Sequence, residues 1–268
     1  MAGASRSGFY AWVVRGDAPM TLDERTIVEI FKRAKGKLGY RQLKMRFERR
    51  TGRIINIKKV RRIKRDFGLV TSIRKLNKFR AIFKRGEQDT VAPNLLMRRF
   101  IPAQGQRIWT TDVTELRFAF GQRAYLSAVK ELGTNRIVAH TVGRSPTVEF
   151  ATKELLGLLE KSDESSRRSV IVHSDQGFQY TSVQFRSRLK DLGIRQSMSR
   201  KGNCLDNAPI ESFFGHFKDE AEIKSCKTLK ELEKSVGQYM KYYNEERPQW
   251  GLKRRTPAEA GVNMSLVF

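Results

Sequence analysis

The stretch that most restricts the fold is Ser169–His173, SVIVH, in which Val170, Ile171 and Val172 are apolar at consecutive positions. Successive side chains of a strand point to opposite faces, so a strand apolar on both faces must be covered on both. Five residues suit a short buried strand and are too few for a buried helix. The chain therefore needs a sheet with a helical layer on each side, an α/β architecture.

The flanking sequence supplies both layers. Three β-rich runs, Arg107–Phe118, Ala124–Leu132 and Arg136–Val142, are separated by turn material at Gly121 and at Gly133-Thr134-Asn135, which predicts a meander. Thr147–Lys161 carries Phe150, Leu155, Leu158 and Leu159 and predicts a helix. After SVIVH come a helix over Val183–Leu192 stopped by Gly193, a short strand over Ile194–Met198, and a helix over Pro209–Glu222 with proline in its first turn. Leu229–Tyr243 is the last helix. Strands joined through helices run parallel by right-handed crossovers, so the sheet is mixed and five-stranded. These elements fill residues 101–246, and a polar, proline-containing tail follows over 247–268.

Upstream the pattern is helical. Thr21 and Glu24 have the form of a capping box, and Ile27, Ile30, Phe31 and Ala34 follow at helical spacing up to a break at Gly36–Gly39. A second stripe, Tyr40, Leu43 and Phe47, is closed by Gly52. Asn56 is placed to cap a third helix that turns Val60, Ile63 and Phe67 inward and Lys58, Lys59, Arg61, Arg62, Lys64 and Arg65 outward, with Gly68 as its stop. Three short helices over 21–70, the last one basic, predict a helix-turn-helix-like DNA-binding region; a small bundle with a solvated basic face is the alternative. Residues 71–100, with Arg74, Lys75, Lys78, Arg80, Lys84, Arg85 and a break at Pro93-Asn94, read as a basic linker, and residues 1–20 show no periodicity.

Charge agrees with that division. Of the net +25, a surplus of 19 lies in residues 1–100, which hold 27 Lys and Arg against 8 Asp and Glu. Such a surplus calls for a polyanionic partner, nucleic acid foremost. No apolar run approaches the roughly 18 residues of a membrane span, and the N-terminus lacks the apolar core of a signal peptide, so a cytoplasmic protein is expected. Cys204 and Cys226 form no CxxC pair and are not spaced with the histidines as zinc ligands.

Three acids stand out. Asp112 lies inside the first strand, WTTDVTEL, where aspartate is disfavoured by propensity and costly to bury alone. Asp175 directly follows SVIVH, and sites in open α/β sheets gather at strand carboxyl ends. Glu211, in the first turn of the Pro209 helix, can join them from the side. Three carboxylates suit two hard magnesium ions, with manganese as a substitute, which activate an attacking oxygen at phosphorus and stabilise the leaving one. Two of the three also have an ordinary reading, Asp175-Gln176-Gly177 as turn chemistry and Glu211 as a complement to a helix dipole, and a fourth acid, Asp206, either competes with Glu211 or caps its helix. Phe213, Phe214 and Phe217 are expected in the core, and His173 as a supporting histidine rather than a nucleophile.

WTTDVTEL, HSDQGFQYTS, SMSRKGNCLDNAPIESFFGHFKDE and YYNEERPQWGLKRRTPAE together resemble the orfB-type transposases of bacterial insertion sequences of the IS-three family, part of the wider DDE group that includes retroviral integrases. The match covers roughly residues 20–265, and 35 residues separate Asp175 from Glu211, the interval that names the group. LGYRQL followed by INIKKVRRIKRDFGL likewise resembles the helical DNA-binding region that precedes this core. The resemblance implies a ribonuclease-H-like fold with Asp112, Asp175 and Glu211 as a metal-binding catalytic triad. It also implies that Lys218, two helical turns after Glu211, contacts the transposon end; Arg200 and Lys201 are further candidates for DNA contact. Gln176 stands where arginine is common, and Lys130-Glu131 replaces an aspartate-containing pair, neither within the triad. The integrase-style zinc-binding histidine and cysteine module is absent from the sequence.

The function so implied is a Mg²⁺-dependent polynucleotidyl transferase that cuts and joins insertion-sequence ends, acting as a homo-oligomer on double-stranded DNA of the bacterial nucleoid. Family members often acquire a further helix-turn-helix and leucine zipper from an upstream reading frame, orfA, by frameshift fusion. A nuclease of the same fold that cuts without joining, and a non-enzymatic DNA-binding repressor, are the alternatives.

Overall fold

The computed structural model describes Arg6, residues 19–72 and residues 91–265. The chain divides into two compact units, Met1–Ile73 and Arg74–Phe268. The basic run Arg74, Lys75, Lys78, Arg80, Lys84 and Arg85, and nearly all of residues 1–18, lie outside the described residues.

The first unit holds α1 (Leu22–Arg33), α2 (Tyr40–Thr51) and α3 (Ile57–Asp66). Thr21 and Glu24 close the capping box as expected, and Asn56 caps α3 by accepting from the Lys58 N–H at 2.8 Å. Ile27, Ile30, Phe31, Leu43, Phe47, Val60 and Ile63 make one buried cluster. Phe67 does not join it: α3 ends at Asp66, the chain turns left-handed at Gly68 (φ 58°), and the Phe67 ring is left 37% exposed. The turn between α2 and α3 is fastened from within. Buried Lys44 donates to the Ile55 carbonyl and to Glu48, whose carboxylate in turn accepts from the Ile55 N–H at 3.2 Å. A buried lysine is tolerated because it is paired and hydrogen-bonded.

The second unit is built on five strands: β1 (Arg107–Phe118), β2 (Gln122–Glu131), β3 (Ile137–Gly143), β4 (Val170–Ser174) and β5 (Arg195–Met198). Their order is β3-β2-β1-β4-β5, with β1, β2 and β3 antiparallel and β1, β4 and β5 parallel. This is the mixed, ribonuclease-H-like sheet that the resemblance implies. Every residue of β4 is buried, as its uninterrupted apolar run requires. The helices are α4 (Val148–Lys161), α5 (Glu164–Arg168), α6 (Phe178–Thr181), α7 (Val183–Asp191), α8 (Ala208–Glu220), α9 (Leu229–Lys241) and α10 (Pro257–Ser265).

Strand alternation assigns the two layers. Leu116, Phe118, Leu126 and Ala128 pack against Ile210, Phe213 and Phe217 of α8 and Leu232, Val236 and Tyr239 of α9. Trp109, Val129, Val170 and Val172 pack on the other side against Leu155 and Leu159 of α4 and Phe185 and Leu189 of α7. The aromatic cluster of α8 is core, as expected.

Two boundaries drawn from composition move. The far end of the expected linker, residues 91–100, is packed onto the sheet: Leu96 is buried with Ile108, Leu132 and Ile171, and the Pro93 carbonyl accepts from the Met198 N–H. The expected tail is also structured. Arg247 and Thr256 are buried, and α10 carries buried Ala260. In both stretches a few buried anchors, Leu96 in the first and Arg247, Thr256 and Ala260 in the second, outweigh a polar composition.

Candidate active site

Parallel pairing of β1 with β4 sets the first two acids side by side. Thr111 lies opposite Ser174, and the next residue on each chain is Asp112 and Asp175. Neighbouring strands are about 4.8 Å apart, so the two carboxylates leave the sheet at one level. Asp112 shares its face with Thr114, Leu116 and Phe118, the face covered by α8, whose first turn carries Glu211. Buried Lys130 on β2 fixes the start of that helix by donating to the Pro209 carbonyl at 3.1 Å. Two turns along α8, the Lys218 ammonium donates to the Thr114 hydroxyl, two residues beyond Asp112 on the same face. Lys218 therefore reaches back over the strand that holds Asp112.

The three acids interact. Burial first, and then the charge of Asp175, push the Asp112 carboxyl up to about 8; Glu211 adds to this, and the Val113 N–H and Lys218 offset only part of it. Burial and Asp175 likewise raise Glu211. Among the described residues, no three His, Cys, Asp or Glu side chains are gathered closely enough to hold an ion as they stand. The arrangement is thus a mutually repelling trio rather than a closed ligand cage. Such a donor set fits hard divalent cations, whose charge relieves the repulsion and whose preferred ligands are oxygens.

Turn chemistry and proximity to Asp112 coexist at Asp175. Its Oδ1 accepts from the Gly177 N–H at 2.8 Å, the turn read from Asp-Gln-Gly. A Cβ at 177 would lie 2.8 Å from that oxygen and 2.8 Å from Gln179 Oε1, so a larger residue there would displace the Asp175 carboxylate or the Gln179 amide. Asp206 neither joins the trio nor caps α8. Its carboxylate is withdrawn from solvent against Arg98 and Arg200, and no side chain caps this helix. His173 is buried between Ser197 and the Asp206 carbonyl, at 2.9 Å from each, in the supporting role expected.

Comparison with known proteins decides the family. The integrase core domain family matches residues 102–204 and again 192–257, and an HTH-like domain family matches residues 20–76. A transposase-like protein of Haemophilus influenzae is 42% identical over 80% of this chain and 96% of its own length. InsK of Escherichia coli, assigned as transposase of insertion sequence element IS150, is 36% identical over 88% of this chain and 81% of its own length. Transposase InsF for insertion sequence IS3A, also from Escherichia coli, is 32% identical over 81% of this chain and 75% of its own length. The chain belongs to the IS-three family of insertion-sequence transposases. The catalytic core domain of BIV integrase superimposes with a TM-score of 0.43 at 16% identity, over 60% of this chain and 96% of that one.

Transposition and integration of DNA are therefore the transposase's activity, and its class is polynucleotidyl transfer. Among the described residues, no helix is long and apolar enough to cross a membrane.

The six basic residues of α3 are not equivalent. Lys58, Arg61, Arg62 and Arg65 are exposed. Lys59 is tied to Asp23 at 2.6 Å, while Lys64 bonds Thr71 at 2.8 Å and lies over the Phe31 ring. Arg200 is committed to Asp206 through a bidentate pair, and Lys201 is exposed in the same loop. Sequence reading missed Thr114 as the seat of Lys218 and Lys130 as the anchor of α8. Thr114 had a signal, since it stands two residues after Asp112 in WTTDVTEL.

Proposed function

We propose that Asp112, Asp175 and Glu211 are the catalytic acids of this transposase and that they hold magnesium, two ions per site, with manganese as a substitute. The observation that supports this most is the β1–β4 register, which brings Asp112 beside Asp175 beneath the helix of Glu211. Magnesium bound there would activate the attacking oxygen and stabilise the leaving one. The trio supplies the negative oxygens that orient the cations, and Lys218, seated on Thr114, reaches for a phosphate of the element end.

The reaction proceeds as two in-line exchanges at phosphorus. Water first forms a P–O bond as the 3′ oxygen departs and takes up a proton, freeing a 3′-hydroxyl at the element end. That hydroxyl then forms a P–O bond to a target phosphate and displaces the target's own 3′ oxygen, so one bond forms for each that breaks. No step needs a covalent enzyme intermediate. Two ends must be processed, which calls for a homo-oligomer on DNA, and an upstream-frame partner is the further subunit proposed. The proposed substrate is nucleoid DNA in the bacterial cytoplasm. Labelled element ends should be nicked in Mg²⁺ or Mn²⁺ and left intact in EDTA; cleavage in EDTA would reject the metal requirement.

The first unit is proposed to supply phosphate contacts through the exposed residues of α3. Each contact adds about 0.9 to the slope of log affinity against log salt. Replacing Lys58 and Arg61 with Gln is expected to flatten that slope by about 2 in a filter-binding or anisotropy titration. An unchanged slope would remove α3 from the interface.

A further inference from the structure

Asp206 lies five residues before Glu211, and its two buried oxygens collect five donors. Arg200 reaches it from its N–H (3.1 Å), Nε (2.8 Å) and Nη2 (3.0 Å), Arg98 from Nε (2.9 Å) and Asn94 from Nδ2 (2.9 Å). Arg98 comes from the segment packed ahead of β1 and also donates to Asn203 Oδ1 at 3.0 Å. Met97 and Arg98 both have positive φ, 44° and 65°. Left-handed backbone without glycine costs on the order of 1 kcal/mol or more per residue and persists only where surrounding contacts enforce it.

The same loop is bolted to the strand of Asp175. The Leu95 N–H donates to Ser197 Oγ at 2.9 Å, which leaves the Ser197 hydroxyl proton for His173 Nδ1 and the His173 Nε2 proton for the Asp206 carbonyl. One neutral tautomer satisfies the whole chain. On the far side of Asp175, Gln176 Nε2 donates to the Ser199 carbonyl at 3.0 Å, and the Ser199 N–H donates to the Ser174 carbonyl at 2.9 Å. Residues 94–98, 173–176 and 197–206 thus form a closed hydrogen-bonded ring, with Asp175 on it and Glu211 in the first helical turn beyond it.

We propose that Arg98, Asp206 and His173 form a latch that fixes the spacing between Asp175 and Glu211, with Arg98 a positioning residue delivered by the segment ahead of β1. The proposal rests on the reading of Asp175 and Glu211 as catalytic acids. Arg98 is the place to test it, because its side chain is 43% exposed and Arg200 keeps Asp206 paired when it is removed.

In the full chain, Arg98→Met should need more Mn²⁺ for half-saturation, read by electron paramagnetic resonance. Its turnover in strand transfer at saturating end DNA should fall by roughly 10²-fold, the scale of an ångström-sized misplacement. End-DNA affinity and melting temperature should stay near wild type, and Arg98→Lys should recover part of the turnover through a single hydrogen bond. Wild-type Mn²⁺ binding and turnover in Arg98→Met would overturn the latch. So would a loss of turnover that excess DNA restores, which would make Arg98 a DNA contact. Asp112→Asn run beside it separates the two ideas: if that variant is active, the reading of the acids fails. If it is dead while Arg98→Met matches wild type, only the latch fails.

Discussion

Asp112→Asn is expected to abolish cleavage and joining of element ends, by at least about 10³-fold or ~4 kcal/mol of transition-state stabilisation. It is also expected to leave the melting temperature in EDTA unchanged or higher. The two readouts move apart for one reason. Burial and the charges of Asp175 and Glu211 disfavour an ionised Asp112 in the folded chain, so near neutral pH folding must protonate it, and a neutral amide of the same shape avoids that cost. The same amide removes the negative oxygen that a divalent cation needs. A purely structural aspartate would behave oppositely, losing stability and activity together. Gel-resolved cleavage and a thermal melt on one preparation distinguish the cases; retained cleavage would contradict the assignment.

The largest loss of stability is expected at Arg247, in the stretch whose composition reads as a tail. Its Nε and Nη2 grip the Glu220 carboxylate, with a closest approach of 2.6 Å, and Tyr239 donates to the same carboxylate at 3.1 Å. Glu220 closes α8, so this pair holds the far end of the helix that presents Glu211. Both side chains are nearly withdrawn from water, at 6% and 13% exposure. Arg247→Met leaves a buried carboxylate without its cation and should cost about 3–5 kcal/mol, lowering the melting temperature by roughly 10 °C. Adding Glu220→Met should recover much of this, because an apolar pair of similar volume avoids the desolvation of two charges. A melting temperature unmoved by Arg247→Met would mean that the pair contributes nothing.

The pair also sets an acid limit. Burial alone would raise the Glu220 pKa, but the hydrogen bonds and charge of Arg247 outweigh it and hold the group below the usual carboxylate value. A depressed folded pKa stabilises the protein above the unfolded value, near 4.3, and that contribution is lost as pH falls through the folded value. The Arg247→Met variant should therefore lose less stability on acidification than wild type.

How much of this was legible depended on whether local pattern or distant contact fixed each element. β4 was readable because an uninterrupted apolar run permits only a strand covered on both faces, and its parallel pairing with β1 then fixes where Asp112 and Asp175 meet. The caps at Thr21 and Asn56 were equally plain, since their partners lie two or three residues away. Residues 91–100 were misread because Pro93-Asn94 looks like a break, whereas Asn94 is held by Asp206, 112 positions on. Arg247 reads as a tail cation until Glu220 is placed beside it. Asp206 shows the ambiguity most clearly: from spacing it competed with Glu211 for the site, and only its burial against two arginines separates them.

The most direct measurement is strand transfer with pre-cut element ends, their 3′-hydroxyls exposed, and a supercoiled target plasmid. Wild-type protein, Glu211→Gln and an EDTA control would be compared. The account predicts joined molecules with wild type in Mg²⁺ and none in the other two arms. Ends that are hydrolysed without joining, or joining undiminished in Glu211→Gln, would contradict it.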